Sequence, residues 1–231
     1  MADVTLNPGK WGYIVGPQST NFSTARDASV GASVQVDPTT SAGGSVGYQY
    51  YGRGTLQHQC TRSFFSFNTS AYTTVTTAKL VIKGSSLSSA APLILVASTA
   101  FGSGASDLTT DDFDALNHSK AHSSTISTWD TFGFNQILLN STALNVINSG
   151  AVTYYRVALL QYTNDNQNTA ATTSTLESAG IDWSTDVDLV LTVSSADGPT
   201  KLSKFGRYEK SKISKLDGYA LSKIASINGV D

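Results

Sequence analysis

The stretch "QCTRSFFSFNT", residues 59–69, decides the fold class of this chain. Successive side chains of a β-strand point to opposite faces, which places Phe65 and Phe67 on one face. Arg62 and Phe64 then fall on the other face. The stretch therefore predicts a β-strand, and patterns of the same kind recur along the chain.

Further strand patterns are "ASVGASVQV" (28–36), "TTVTTAKLVIKG" (73–84), "APLILVASTA" (91–100), "VTYYRVALLQYT" (152–163) and "DVDLVLTVSS" (186–195). In the second of these, one predicted side carries Thr74, Thr76, Ala78, Leu80 and Ile82. Turn signals rich in glycine separate the stretches. Strands at this spacing predict an all-β fold, an antiparallel β-sandwich with a jelly-roll-like arrangement.

Two short helices are expected to interrupt the strands. In "LTTDDFDALNHS", residues 108–119, a threonine cap precedes two acidic residues and an apolar face. In "NSTALNVINSG", residues 140–150, Ser141 or Thr142 is suited to cap the helix and Gly150 to end it.

Composition bounds the class of protein. Hydrophobic residues make up 40% of the 231 residues, enough for a core, while charged residues make up 14% against about 25% in typical domains. The polar surface must consist of Ser, Thr, Asn, Gln and Gly, which is common in secreted and particle-bound β proteins. A single cysteine, Cys60, allows no intramolecular disulfide and no zinc site of the CxxC type.

The charge is unevenly distributed. Residues 201–231 carry seven Lys and Arg and three acids, a net charge of +4, which leaves −6 on the rest of a chain whose net charge is −2. The change of pattern near Pro199 predicts an N-terminal arm over residues 1–20, a sandwich domain over 21–197 and a basic C-terminal docking tail over 198–231.

The N-terminal sequence has neither a basic region nor an apolar region of the kind that makes a signal peptide. No apolar run approaches the roughly 18 residues of a membrane span. We therefore expect synthesis in a host cytoplasm and no membrane span. The basic residues lack the interleaved aromatic platform of a single-strand binder, so no nucleic-acid partner is expected.

The acidic stretch "DLTTDDFD" gathers Asp107, Asp111, Asp112 and Asp114. Such carboxylates are ligands for Ca²⁺, although their spacing differs from that of an EF-hand loop. Acids in a first helical turn are also stabilised by the helix dipole. Helix capping is the favoured interpretation, and an ion remains the alternative.

The sequence contains only weak evidence for a catalytic site. The three histidines, His58, His118 and His122, occur without a G-x-S-x-G elbow and without an HExxH motif. Glu177 is the only glutamate before the tail, and a paired-carboxylate glycosidase is kept as an alternative. The sequence predicts no catalytic residue, no cofactor and no metal site.

Aromatic side chains offer candidate contacts with a glycan or receptor. "GYQYYGRG" contains Tyr48, Tyr50 and Tyr51, and alternation places the first two on one face and the third on the other. Exposed tyrosine and tryptophan rings stack on sugars or anchor interfaces. These three residues and Trp129 are the predicted recognition residues.

The C-terminal tail contains an 11-residue repeat, "LSKFGRYEKSK", "ISKLDGYALSK" and "IASINGVD". Asp217-Gly218 and Asn228-Gly229 favour tight turns after each apolar pair. So short a repeat cannot bury its own apolar residues and needs the sandwich, sister copies or a partner to cover them. The predicted partner-docking residues are Leu202, Phe205, Ile213, Leu216, Leu221, Ile224 and Ile227.

The order of these motifs, from "TARDASVGASV" through "TRSFFSFNTSAY" and "VTTAKLVIKG" to "DVDLVLTVSS", resembles DNRLRE-type β-sandwiches and related jelly-roll modules of bacterial and phage surface proteins. The matching residues are Arg62, Phe65, Phe67, Ser70, Ala78, Leu80, Leu139, Asn140, Ile147, Gly150 and Arg156. Asn68 stands where these modules have Asp, and their helix glycine is replaced near Ala143. The tail resembles "ISKINGV"-like repeats of structural proteins of tailed phages.

Together these resemblances imply a non-enzymatic structural protein of a tailed-phage virion. Its sandwich would be displayed as a tail appendage or adhesin-like module, and its tail would bind other capsid or tail proteins. Binding of a host-surface glycan and assembly into a homo-oligomer are further expected partnerships. A capsid decoration protein that stabilises the particle is one alternative, and a free carbohydrate-binding module or glycan hydrolase is another.

Overall fold

A computed structural model describes residues 2–88, 92–184 and 187–194, together with four two-residue strands in the tail. The predicted all-β fold is confirmed. The strands of the sandwich are β1 (Ala2–Leu6), β2 (Lys10–Val15), β3 (Ser33–Val36), β4 (Ser41–Tyr51), β5 (Gln57–Asn68), β6 (Val75–Ser88), β7 (Leu93–Ser98), β8 (Leu116–Ala121), β9 (Phe134–Leu138), β10 (Tyr154–Gln161), β11 (Thr175–Asp182) and β12 (Asp188–Val193). The helical segments are α1 (Phe22–Arg26), a 3₁₀ turn (Thr110–Asp112), α2 (Ser141–Asn148) and a π-helical turn (Tyr162–Asn166). The tail strands are β13 (Lys204–Phe205), β14 (Tyr208–Glu209), β15 (Lys215–Leu216) and β16 (Tyr219–Ala220).

The antiparallel sheet is divided into two layers at β6. The first part of β6 pairs with β12 and β9, while its last part, from Gly84, pairs with β11. One layer therefore has the order β1-β12-β6-β9, and the other is built around β5, β10 and β4. Gly84 lies where β6 passes between the layers, and a Cβ atom there would overlap the carbonyl oxygen of Asp130.

Strand β5 is covered on both faces. Phe65 and Phe67 belong to the apolar core between the two layers, which we call the main core. Phe64 belongs to a second core on the opposite face of the same sheet. The predicted division of these side chains between two faces is confirmed. The strands predicted at β7, β10 and β12 are also present, and alternate residues of β12 point into the main core.

The prediction for β6 needs one correction. The buried face carries Val75, then Ala78, Leu80 and Ile82, so Thr76 is exposed rather than in phase with them. The pairing of β6 with β12 shifts register at this point. A β-bulge adds one residue to a strand and moves the following side chains to the other face.

The two predicted helices differ from expectation in detail. The first is a single 3₁₀ turn, Thr110–Asp112, and β8 already begins at Leu116, inside the predicted segment. The second is α2, but its cap is Asn140, whose side-chain oxygen accepts from the backbone N–H of Ala143 at 3.1 Å. Ser141 and Thr142 instead occupy the first turn of α2.

Residues 2–20 belong to the sandwich rather than to a separate arm. Strand β1 pairs with β12 from Ala2 onward, and β2 pairs with both β5 and β3. These strands escaped prediction because each is short and Pro8-Gly9 separates them. Among the described residues, no helix is long and apolar enough to cross a bilayer.

Candidate functional site

The described residues of the tail form two antiparallel strand pairs that follow the sequence repeat. Phe205 of β13 pairs with Tyr208 of β14, and Leu216 of β15 pairs with Tyr219 of β16. Corresponding residues are eleven apart, which is the period of the sequence repeat. Two residues separate the strands of each pair, which is the commonest loop length of a β-hairpin. The first two repeats thus each contain one short antiparallel strand pair, while the third, residues 224–231, lies outside the described residues.

The apolar residues of the tail are only partly described. Phe205 and Leu216 occupy equivalent positions in the first strands of the two hairpins. The remaining predicted docking residues lie outside the described residues: Leu202, Ile213, Leu221, Ile224 and Ile227. The same holds for the Asp217-Gly218 and Asn228-Gly229 dipeptides.

The predicted recognition tyrosines lie on β4 but do not form one exposed patch. Tyr48 is 1% exposed, and its hydroxyl lies 2.6 Å from Nδ1 of His58. Tyr50, on the same face, stacks on the His58 ring with centroids 4.1 Å apart. Tyr51 points the other way and is 55% exposed. Of the three tyrosines, Tyr51 is therefore accessible to a ligand, while Tyr48 is packed in the second core.

Trp129 also lies in the interior. It is 8% exposed, belongs to the main core and donates from Nε1 to the carbonyl oxygen of Gly180 at 3.3 Å. Its ring is thus unavailable for stacking on a sugar. Nothing in the local sequence distinguishes it from an exposed loop tryptophan, since its burial depends on contact with β11.

A cleft lined by two other tryptophans escaped the sequence analysis. It has a volume of about 450 Å³, and its walls include Trp11 and Trp183. Trp11 is half-buried, and its Nε1 donates to the carbonyl oxygen of Pro38 at 3.3 Å. Asn7 and Thr39 add polar groups to the lining. Apolar ring surfaces beside a few polar groups suit a ligand that has one apolar face and several groups that form hydrogen bonds.

The orientation of Trp183 in this cleft is fixed by its partners. Its Nε1 donates to the Ser45 hydroxyl at 3.1 Å, and its ring stacks on Tyr13 with centroids 6.2 Å apart and planes 17° apart. A wall held in this way needs little ordering when a ligand binds.

A buried polar network covers the outer face of β5. The Arg62 guanidinium donates to the Asp165 carboxylate and to the carbonyl oxygens of Phe113 and Arg26, at 2.8 Å and 2.6 Å respectively. Its Cζ atom also lies 4.0 Å from the centre of the Phe113 ring. These contacts join α1, β5, the segment after the 3₁₀ turn and the π-helical turn, which is a structural role.

The acidic stretch is divided among separate partners. Asp107 forms an ion pair with Lys10 at 2.6 Å, and Asp112 accepts from the backbone N–H of Thr109 at 3.0 Å. The capping interpretation of Asp112 is therefore confirmed. Within the described part of the chain, no three His, Cys, Asp or Glu side chains are grouped as metal ligands would be.

The other polar residues singled out from the sequence lie apart. His58 contacts the tyrosines of β4, while Nδ1 of His122 lies 2.9 Å from the hydroxyl of Tyr155. The Glu177 carboxylate accepts from Gln161 at 2.5 Å. Cys60 is fully buried in the second core.

No family model matches this sequence, and no curated protein matches it. The resemblances to DNRLRE-type sandwiches and to repeats of phage structural proteins therefore stay predictions from the sequence motifs.

Proposed function

We propose that this chain is a structural protein of a tailed-phage particle, in which the sandwich is displayed and the C-terminal tail anchors it to another capsid or tail protein. The observation that carries the proposal is the agreement between the 11-residue sequence repeat and the hairpins β13–β14 and β15–β16. A two-stranded hairpin is at best marginally stable in water without further packing. A series of hairpins with apolar residues at equivalent positions is therefore suited to be covered by a partner.

The charge of the tail supports attachment to a partner protein as well. The tail is basic while the rest of the chain is acidic. Complementary charges speed encounter with an acidic surface, whereas buried apolar residues supply most of the affinity. The two contributions can be separated, because β13 and β15 each carry one lysine followed by one apolar residue.

The test compares two double variants on purified particles. In the first, Phe205 and Leu216 are replaced by Ser; in the second, Lys204 and Lys215 are replaced by Gln. Anchoring by apolar contacts predicts that the first variant is lost from particles, while the second is retained in low salt. Equal retention of both variants and the wild type would overturn the proposal. Thermal melts must first show that the sandwich of each variant is folded.

The number of copies per particle separates a displayed appendage from a capsid decoration protein. A decoration protein is present in numbers comparable to the major capsid protein, while an appendage is present in few copies. Quantitative gel analysis of purified particles measures this ratio.

Glycan binding is a second candidate function, favoured by the cleft between Trp11 and Trp183. The half-buried Trp11 ring is suited to stack on the apolar face of a sugar, whereas Trp183, which is 4% exposed, contributes to the wall of the cleft and not a stacking face. The polar groups of the lining are suited to hydrogen bonds with sugar hydroxyl groups. This function is compatible with a displayed sandwich, and it is also what a free carbohydrate-binding module would do.

A further inference from the structure

A second cavity, of about 210 Å³, lies where β7, β8 and β10 meet α2. Three of its lining residues have basic side chains: Lys120 of β8, His122 just after β8, and Arg156 of β10. None of the described residues that line it carries a carboxylate. The cavity therefore presents positive charge without an internal counterion.

Arg156 is held in place by the backbone of a neighbouring loop. Its Nη1 donates to the carbonyl oxygens of Thr99 at 2.8 Å and Ala100 at 3.3 Å, and also to that of Gly102. Among the described residues, Nε and Nη2 have no hydrogen-bond partner, which leaves three N–H donors. A guanidinium fixed at one end with a free fork at the other matches the geometry of a carboxylate.

Lys120 adds a second positive charge at the edge of the cavity. Its side chain is exposed, and it forms no ion pair within the described part of the chain. It lies close enough to His122 to disfavour protonation of that imidazole. Lys120, His122 and Arg156 thus line the same cavity.

His122 contributes a buried donor without an acceptor. The residue is 1% exposed, and Nε2 has no hydrogen-bond partner. Tyr155 is fully buried, and Nδ1 of His122 is the only partner of its hydroxyl among the described residues. If the hydroxyl donates to Nδ1, the imidazole proton resides on Nε2 and one donor lacks an acceptor. The opposite tautomer would leave both the hydroxyl proton and Nε2 unpaired, which costs more.

The remaining walls suit a small ring. Tyr154 supplies an aromatic side chain, Val146 and Val152 supply apolar surface, and Thr142 supplies a hydroxyl group. The volume equals that of roughly seven water molecules in the liquid. It is below the range of about 300–1,000 Å³ found for sites that enclose drug-sized ligands. One monosaccharide unit is an appropriate occupant.

We propose that this cavity binds a carboxylate-bearing monosaccharide, a hexuronate unit of an acidic glycan. The carboxylate lies between the free fork of Arg156 and the ammonium of Lys120, and a ring or hydroxyl oxygen accepts from Nε2 of His122. A sugar satisfies this last donor, whereas the carboxylate on a flexible acidic side chain of a peptide would leave it unpaired. The site is independent of how the tail is anchored.

The first experiment titrates the full-length protein with sodium D-glucuronate by calorimetry at low salt. D-glucose is the neutral control, and acetate and N-acetylglutamate supply a carboxylate without a sugar ring. The expected result is millimolar binding of glucuronate that weakens as salt is added, with weaker or no binding of the other three. Absence of glucuronate binding, or binding equal to that of glucose, overturns the proposal. Equal binding of acetate or N-acetylglutamate overturns the assignment to a sugar.

The second experiment uses matched variants. Lys120→Gln should weaken glucuronate binding about fivefold, as expected for the loss of one partly exposed charge pair. Lys79→Gln, the same change on the other layer of the sandwich, should have no effect. Arg156→Lys keeps the charge but removes the fork, and it should also weaken binding. Unchanged binding by Lys120→Gln, or by a folded Arg156→Lys, refutes the site.

Discussion

Arg62 and Asp165 lie 103 residues apart in sequence and form a two-hydrogen-bond ion pair in the interior. Nε donates to Oδ2 at 2.9 Å and Nη2 to Oδ1 at 2.7 Å. Both side chains are 0% exposed. The pair attaches the π-helical turn to the central strand β5 and thereby closes the second core. A buried pair of this kind stabilises little in net terms, but loss of one partner leaves the other charge uncompensated.

The first prediction concerns this pair. Asp165→Asn should lower the free energy of unfolding by about 3–5 kcal/mol, because the buried guanidinium loses its counterion. Asp107→Asn is the matched control, since Asp107 pairs with Lys10 at the surface. That change should cost at most about 1 kcal/mol. Urea unfolding measures both values, and a similar small loss for the two variants would contradict the structural role of the pair.

The second prediction concerns the passage of β6 between the layers. Gly84→Ala should destabilise the protein by about 2–3 kcal/mol, because the added Cβ overlaps the backbone carbonyl of Asp130 and cannot be accommodated by a side-chain movement. At Gly9 the nearest atom to an added Cβ is the Ser66 carbonyl oxygen, at 3.9 Å. Gly9→Ala should therefore be nearly neutral. Equal midpoints of thermal unfolding for the two variants would argue against the tight passage.

The third prediction concerns acid stability. Burial, with a smaller contribution from Lys120, lowers the pKa of His122 to about 4 from an ordinary value of 6.5. Burial likewise lowers the pKa of His118 to about 4. Between pH 6.5 and 4 the unfolded chain binds more protons at these positions than the folded protein. The free energy of unfolding should therefore fall as the pH is lowered through this window.

Acidic side chains also begin to titrate near the lower end of the window, so the contribution of one histidine is measured as a difference. His122→Gln keeps an acceptor for the Tyr155 hydroxyl and does not titrate. Its free energy of unfolding, followed by urea titration from pH 7 to pH 4.5, should fall less steeply than that of the wild type. Parallel curves would show that the imidazole of His122 is not kept neutral by the fold.

The sequence predicted those parts of the structure that depend on local alternation. The faces of β5 follow directly from the positions of Phe64, Phe65 and Phe67, and β12 follows from a similar period. Alternation cannot show which face is covered, so the pattern placed Tyr48 and Tyr51 on opposite faces without showing that Tyr48 is buried. Alternation also cannot predict the β-bulge near Thr76 in β6, since a bulge depends on pairing with the partner strand.

The candidate ligand sites depend on contacts between distant segments. Trp11 and Trp183 come from the two ends of the sandwich sequence and meet because β1 and β2 pack beside the connection from β11 to β12. Arg156 was matched by a family motif, but its anchoring to the loop at 99–102 is tertiary. Residue type alone therefore identified few of the side chains that line a cavity.

The last prediction compares two aromatic sites, Trp11 and Tyr51, as positions for glycan binding. If the tryptophan cleft binds neutral sugars, Trp11→Ala should weaken binding about tenfold, as expected for loss of one stacking ring, and Trp11→Phe should retain part of the affinity. Tyr51→Ala removes the exposed tyrosine of β4, which the sequence had marked as a contact. It should leave binding unchanged. A glycan array identifies a neutral ligand with the wild-type protein, and titration with that ligand then ranks the variants. Loss of affinity in Tyr51→Ala with full affinity in Trp11→Ala would place the glycan on the exposed face of β4 instead of in the cleft.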